Sequence, residues 1–231
     1  MKFKWYPRRV VALLAAVAFL LLLGNIGGII AKYYFGHDHL HGLVPLFNFD
    51  EENNFPSLFS ALLLLGSSAL LCLIGVTRGS QGKNDKGHWN GLALVFLFLA
   101  MDESMELHEK LDQPVRNLLD TSGALYFAWV IPYALFVAVL GIVYFKFILR
   151  LPPRIRFLFI MSGIFFLSGA IGFELIGSQL FEWSNKTGGV AYRTAVTLEE
   201  SFEIIGVLTF IYALLTYIDL KFDSFIIQFS D

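Results

Sequence analysis

Six apolar runs, each about as long as a bilayer is thick, occupy most of this chain of 231 residues. A transmembrane α-helix needs about 20 predominantly apolar residues, and hydrophobic side chains make up 56% of this sequence. The runs therefore predict an all-α, polytopic integral membrane protein: a bundle of six transmembrane helices in a single domain that covers residues 1–231. The predicted spans are about residues 10–31, 56–77, 89–109, 126–147, 157–181 and 190–218.

The basic residues orient this bundle. If the N-terminus lies in the cytoplasm, 12 of the 17 Lys and Arg residues fall on the inner side. The positive-inside rule then predicts that both the N- and C-termini are cytoplasmic, in a multi-pass protein of the bacterial inner membrane or an equivalent membrane. The basic loops face the anionic inner leaflet. Because no basic face remains elsewhere, nucleic-acid binding is not expected.

The acidic residues have the opposite distribution. In the same topology, 15 of the 19 Asp and Glu residues lie in the outer half or in the outer loops, and many of them belong to predicted helices. An ionisable side chain at bilayer depth costs several kcal/mol by most estimates, roughly 3 on insertion scales, so such side chains usually pair, bind an ion or line a wet cavity. This asymmetry is the main sequence signal for function.

Three predicted helices contribute these acids at a similar depth. In a continuous helix, Asp102, Glu106 and Glu109 share one stripe, while Glu199 and Glu203 are one turn apart on the sixth helix. Carboxylates so close to one another need cations or protons to offset their repulsion. We therefore predict a shared divalent metal site in the outer half of the bundle. Its candidate ligands are Asp102, Glu106, His108, Glu109, Glu174, Glu199 and Glu203.

Each of these features also has a simpler interpretation. The stretch from Asp102 to Glu109 is compatible with a solvated helix end beyond the lipid, and Glu174 with a hydrogen-bonded packing residue. The acidic run 50–52, followed by Asn53 and Asn54, is most simply a cap at the positive N-terminal end of the second predicted helix. The shared site is favoured because the three helices place their carboxylates at one level.

The residue types leave the identity of the ion open. Oxygen ligands suit Ca²⁺, Mg²⁺ or Mn²⁺, and the addition of His brings Fe and Zn into range. Di-iron carboxylate bundles usually carry paired Glu-x-x-His motifs, but the residue three before His108 is Met105. The sequence thus predicts a divalent metal ion as cofactor, with no catalytic residue assigned.

Two short segments resemble alkaline ceramidases and related membrane hydrolases. They are Glu51-Glu52-Asn53-Asn54-Phe55 and Asp102-Glu103-Ser104-Met105. The resemblance covers about ten of the 231 residues and implies a helical bundle in which zinc-bound water cleaves a lipid amide. This chain departs from that family's late His-x-x-x-His pair, because Glu199-x-x-x-Glu203 occupies the comparable position. The overall pattern is also similar to that of bacterial polytopic membrane proteins of unknown function.

Three function classes follow. The first is a metal-dependent membrane enzyme, for instance a hydrolase, that acts on a lipid or another hydrophobic small molecule. The second is a cation transporter or channel, and the third is a structural subunit of a larger membrane complex or an oligomer. The cytoplasmic halves of the predicted helices carry no ionisable path, whereas a transporter normally has a midplane site open to both sides. The sequence therefore favours a metal-dependent enzyme whose site is open to one side of the membrane only. Membrane lipids are its expected partners.

Overall fold

A computed structural model describes residues 2–3, 6–80, 85–221 and 225–226. Within these residues the fold is all-α apart from one short pairing, in which Lys2–Phe3 lies antiparallel to Phe225–Ile226. The helices are α1 (Pro7–Phe35), α2 (Leu43–Phe47), α3 (Phe55–Ser80), α4 (Lys86–Met105), α5 (Leu107–Leu119), α6 (Val130–Arg150), α7 (Pro153–Leu167), α8 (Glu174–Trp183) and α9 (Val190–Lys221). Single 3₁₀ turns lie at Leu40–Gly42 and Gly123–Leu125.

In the part of the chain that the structure describes, five helical elements are long and apolar enough to cross a membrane. They are Pro7–Phe35, Phe55–Arg78, Val130–Arg150, Pro153–Trp183 and Val190–Lys221. The fourth element joins α7 and α8 through a π-helical turn at Ser168–Phe173. The prediction of an all-α chain with several helices able to span a membrane is confirmed in these residues.

Helix α4 is not among these five, although it is 20 residues long. Charged or polar residues occupy both of its ends, so that its uninterrupted apolar stretch runs only from Gly91 to Met101. It nevertheless packs antiparallel along α3. The hydroxyl of Ser68 donates to the Ala93 carbonyl at 2.7 Å, and Leu64 belongs to the same buried cluster as Ala100 nearer the other end.

The structure differs from the predicted 89–109 element at its C-terminal end. Glu106 adopts a left-handed conformation with φ 54° and ψ 44°, which ends α4 at Met105 and begins α5 at Leu107. A left-handed residue cannot continue a right-handed α-helix, so the chain changes direction there. The side chains of Asp102, Glu106 and Glu109 therefore do not share the single stripe expected of a continuous helix.

Helix α9 is the centre of the bundle. It packs against α1, α3, α7 and α8, and its buried residues are distributed around the whole helix, as expected of a core helix. Its C-terminal half belongs to an aromatic and aliphatic cluster that includes Trp89, Phe147 and Tyr217. Its N-terminal half carries Glu199, Glu200 and Glu203. The two ends of the bundle are therefore chemically distinct.

Candidate metal site

Seven carboxylates and one histidine line a cavity of about 290 Å³ at the acidic end of the bundle. The cavity lies between α5, α8, α9 and the loop that precedes α3, and aromatic side chains form part of its wall. Its polar and charged residues are Asp50, Glu52, His108, Glu109, Asp112, Glu174, Glu199 and Glu200. No Lys or Arg is among the lining residues in the part of the chain that the structure describes.

The loop before α3 supplies Asp50 and Glu52, and the side chain of Asn54 stabilises its conformation. The Asn54 amide donates to the carbonyls of Asn48 and Glu51 at 2.7 and 2.6 Å. The backbone N–H of Ser57 donates to Asn54 Oδ1 at 3.1 Å, so Asn54 also caps the start of α3. The cap predicted from the sequence is thus present. It leaves the two acids of the loop facing the cavity.

Two of the cavity carboxylates have arginine partners. Asp50 pairs with Arg193 of α9, and Asp112 pairs with Arg116 one turn along α5. Asp112 Oδ1 also accepts the backbone N–H of Ala128 at 2.5 Å. These contacts hold the loop against α9 and α5 against the segment before α6, so we interpret Asp50 and Asp112 as structural residues of the site.

Glu52, His108 and Glu109 form the tightest group of potential ligands. One ligand atom from each lies within 4.8 Å of the others, which is the separation expected of atoms that can converge on one ion, because metal–ligand distances are about 2.0–2.6 Å. Glu52 and His108 are partly buried and Glu109 is exposed. The group therefore lies at the mouth of the cavity.

Asp102 lies behind His108 and fixes its orientation. Asp102 Oδ1 accepts the backbone N–H of His108 at 2.8 Å and lies 3.4 Å from His108 Nδ1. A proton on Nδ1 satisfies this contact and leaves Nε2 free to bind a cation. The arrangement matches the carboxylate–histidine pairs that support metal-bound imidazoles in other proteins.

The electrostatics of the mouth follow from this geometry. Burial raises the pKa of the Glu52 carboxyl to about 7; His108 opposes this shift, while Glu109, Glu106 and Asp102 add to it. Burial alone lowers the pKa of His108, but the hydrogen bond and charge of Asp102, together with Glu52 and Glu109, outweigh it and raise that pKa. Both groups therefore hold protons more tightly than isolated side chains do. A bound cation would displace those protons.

Burial also raises the pKa of Asp50, because desolvation outweighs the charge of Arg193 and a hydrogen bond from Tyr192.

The inner wall of the cavity contains a pair of carboxyl groups, Glu174 and Glu199. Glu174 accepts the indole N–H of Trp129 at 2.8 Å, and its carboxyl lies within hydrogen-bonding range of Glu199. Two carboxyl groups in that position need a shared proton or a cation.

A close helix contact positions the α9 acids. Gly169, in the π-helical turn, lies against α9 so closely that a Cβ there would be 2.6 Å from the Glu199 carbonyl oxygen and 2.7 Å from Glu203 Cγ. Glycine is the residue that permits such an approach. π-Helical turns are frequent at functional sites, and this turn ends directly before Glu174. The local backbone thus brings α8 and α9 acids together.

The structure places the predicted ligands in three positions. His108, Glu109, Glu174 and Glu199 line the cavity. Asp102 lies behind His108. Glu106 and Glu203 do not line the cavity: Glu106 accepts the Asn53 side-chain amide at 2.8 Å, and Glu203 lies deeper, within electrostatic range of Glu103 and Glu174.

Sequence reasoning did not identify Glu52 as a candidate ligand. Glu52 belongs to an acidic run before a helix, and a role in capping that helix was enough to explain it. Only the fold shows that Glu52 lies near His108. Trp129 was also missed. Its indole N–H bonds Glu174, and its ring lies 4.7 Å from that of His108. No local pattern around Trp129 indicates either contact.

Comparison with known families finds one match. The sequence pattern of a family described as a domain of unknown function, DUF8692, matches residues 9–218. No curated protein and no solved structure matches the chain.

Proposed function

Because this chain belongs to the DUF8692 family, whose description assigns no activity, we propose its function from the site: a membrane-embedded, metal-dependent enzyme that acts on a lipid or another hydrophobic substrate. The observation that carries the proposal is the convergence of Glu52, His108 and Glu109 with Asp102 behind the imidazole. Three protein ligands with room for a further ligand are typical of a catalytic metal centre, whereas structural zinc sites are usually closed by four.

The donor set narrows the choice of ion. One imidazole with two carboxylates favours Zn²⁺, Mn²⁺ or Fe²⁺ over Ca²⁺ and Mg²⁺, which prefer oxygen ligands alone. Such an ion would activate water or polarise a substrate oxygen. The Glu174–Glu199 pair is our candidate for proton transfer, since the two side chains line the same cavity and can share a proton. Hydrolysis of a lipid bond is the reaction that the resemblance to ceramidases would imply.

A one-sided site favours an enzyme over a transporter. The opposite half of the bundle is packed with aromatic and aliphatic side chains, among them Trp89 and Leu214, both fully buried. Asp85, the carboxylate that lies beside this cluster, is paired with Arg78. A transport path would need access to the site from both sides of the membrane, and this packing does not favour such a path.

We further propose that α4 is a sixth membrane span and that both termini are cytoplasmic. The antiparallel packing of α4 on α3 supports this topology. Ala93 of α4 contacts Ser68 of α3 through a hydrogen bond, and Ala100, further along α4, lies in the same cluster as Leu64 of α3. Helix α4 thus lies beside a membrane-spanning helix. The short pairing of Lys2–Phe3 with Phe225–Ile226 also favours an even number of spans. The metal site then lies at the outer face, and the basic residues lie at the inner one.

Elemental analysis tests the proposed function. The protein is stripped with a chelator, reloaded with Zn²⁺, Mn²⁺ or Fe²⁺ and washed, in parallel with Glu52→Gln and the control Glu51→Gln. Glu51 is the adjacent acid, and it lies outside the cavity. We expect one ion per chain in the wild type and the control, and loss of that ion in Glu52→Gln. Absence of metal throughout, with cation flux in proteoliposomes, would support a transporter instead.

A further inference from the structure

We infer that the substrate is an amphiphile whose single hydrocarbon chain lies in a groove beside α6 while its oxygen-bearing head group reaches the carboxylate cavity. This inference rests on the proposed function, because the head group is taken to complete the coordination of the metal ion. The groove encloses about 240 Å³. It extends between α4, α6, α7 and α9.

The lining of the groove is almost entirely apolar. Leu92, Val95, Phe96 and Leu99 line it from α4, and α6 contributes a row from Tyr133 to Ile148. Tyr133 and Ile148 are fifteen positions apart, which corresponds to about 22 Å of helix. This length exceeds half of the ~30 Å hydrocarbon core and hence the depth of one leaflet. The groove is therefore long enough for one lipid chain. Its volume lies below the roughly 300–1,000 Å³ of sites that hold bulky drug-sized ligands.

The groove and the cavity meet at Trp129. This residue lines both, and its indole N–H bonds Glu174 in the cavity. Beside it, Tyr133 lines the groove and its hydroxyl is within hydrogen-bonding range of Asp102. An apolar space thus leads along the bundle to the level of His108 and its acidic neighbours.

The chemistry of the two spaces specifies the occupant. The cavity carries seven carboxylates, of which Asp50 and Asp112 have arginine partners. A ligand whose head group is held here must approach through a cation, and oxygen atoms of a carboxylate, phosphate or amide can complete that cation's coordination. A chain in the groove places such a head group beside Trp129. A soluble polar metabolite would leave the groove without a role.

Glycine residues provide a sharp test, because they permit the groove to be filled without a clash elsewhere. Gly163 lines the groove, and a Cβ added there meets no atom within 4 Å. Gly163→Phe should therefore fold and occupy the groove. Gly141, on α6, is exposed, does not line the groove and also has free space around a new Cβ, so Gly141→Phe is the matched control.

The probe is a fatty acid that carries a diazirine in mid-chain, with labelled residues identified by mass spectrometry. In the wild type, we expect labels on α4 and α6 residues of the groove. Gly163→Phe should reduce this labelling by about tenfold or more, equivalent to ~1.4 kcal/mol of binding free energy, and Gly141→Phe should not reduce it. Val95→Trp, from the facing wall, is the second variant if Gly163→Phe does not yield monodisperse protein.

Ion binding is measured on the same samples to separate the two proposals. If the wild type binds an ion but both filled variants are labelled like the wild type, the groove proposal is overturned and the metal proposal stands. If groove labelling is lost in the filled variants but no ion binds, the groove proposal stands and the metal proposal fails. Labelling spread evenly over the exposed face of α1 would also overturn the groove proposal.

Discussion

Asp102 caps the helix that carries His108 and also contacts its imidazole: Oδ1 lies 2.8 Å from the His108 backbone nitrogen and 3.4 Å from Nδ1. One carboxylate therefore fixes both the start of α5 and the ring that faces Glu52. The left-handed residue Glu106 makes this possible, because it interrupts the helix between Asp102 and His108 and changes the direction of the chain.

Asp102→Asn separates these two roles. The amide oxygen can still accept the backbone N–H, so the cap should survive, but the negative charge near Nδ1 is lost. We expect the pKa of His108 to fall and the affinity for a divalent ion to decrease by about 10- to 100-fold, the usual effect of changing such a supporting residue. NMR titration of labelled histidine and calorimetry measure the two effects. Asp120→Asn, at the exposed C-terminal end of α5, is the control and should change neither.

The contact at Gly169 predicts a stability effect. Gly169→Ala would place a Cβ 2.6 Å from the Glu199 carbonyl oxygen, so α7 and α9 would have to move apart. We expect a loss of about 1–3 kcal/mol in the free energy of unfolding, the usual range for overpacking. Gly172→Ala lies in the same π-helical turn with free space around the new Cβ and should be neutral or slightly stabilising. Equal thermal midpoints for the two variants would contradict the close packing of these helices.

The pH dependence follows from Glu52 and His108. The pKa of Glu52 rises from 4.5 to about 7 in the folded protein, and the pKa of His108 also rises above 6.5. Each group binds its proton more tightly in the folded state, so each contributes stability at low pH that is lost as pH rises through the folded pKa. Metal-free protein should therefore have a lower thermal midpoint at about pH 8 than at about pH 5.5, where Glu52 is still protonated.

A divalent ion should reverse this trend, because it binds the deprotonated Glu52 and the neutral His108. Its affinity should rise over the same pH range, with proton release that calorimetry can count in buffers of different ionisation enthalpy. If ion binding released no protons and did not depend on pH, the acids would already be solvated and ionised. That result would favour the interpretation of residues 102–109 as a solvated helix end.

The proposed topology is tested independently of the metal. A reporter that is active only in the cytoplasm should be active when it is fused after Asp231. A tag inserted next to Asp38, in the loop between α1 and α2, should be accessible from outside. If the reporter after Asp231 proved active only outside the cytoplasm, the account of α4 as a sixth span would be wrong.

The fold class was predictable because long apolar runs are a strong signal, and Pro7–Phe35 or Val190–Lys221 can be recognised without a partner helix. The gathering of acids at one end was also predictable from helix direction alone. The break at Glu106 was not, because the sequence around it reads as continuous helix and only the bond from His108 to Asp102 explains it. Glu52 lay outside the prediction for a similar reason: its contact with His108 joins residues 56 positions apart in a fold that no local pattern specifies.

The most direct test of the account is a calorimetric titration of chelator-treated protein with Zn²⁺ and Mn²⁺, in the wild type and in Glu52→Gln, His108→Gln and Glu51→Gln. The account predicts one ion per chain in the wild type and in Glu51→Gln, and affinity weakened by about 100-fold or more in the other two variants, since each lacks a direct ligand. Binding that is unchanged in both Glu52→Gln and His108→Gln, or no binding in the wild type, would contradict the proposed metal site.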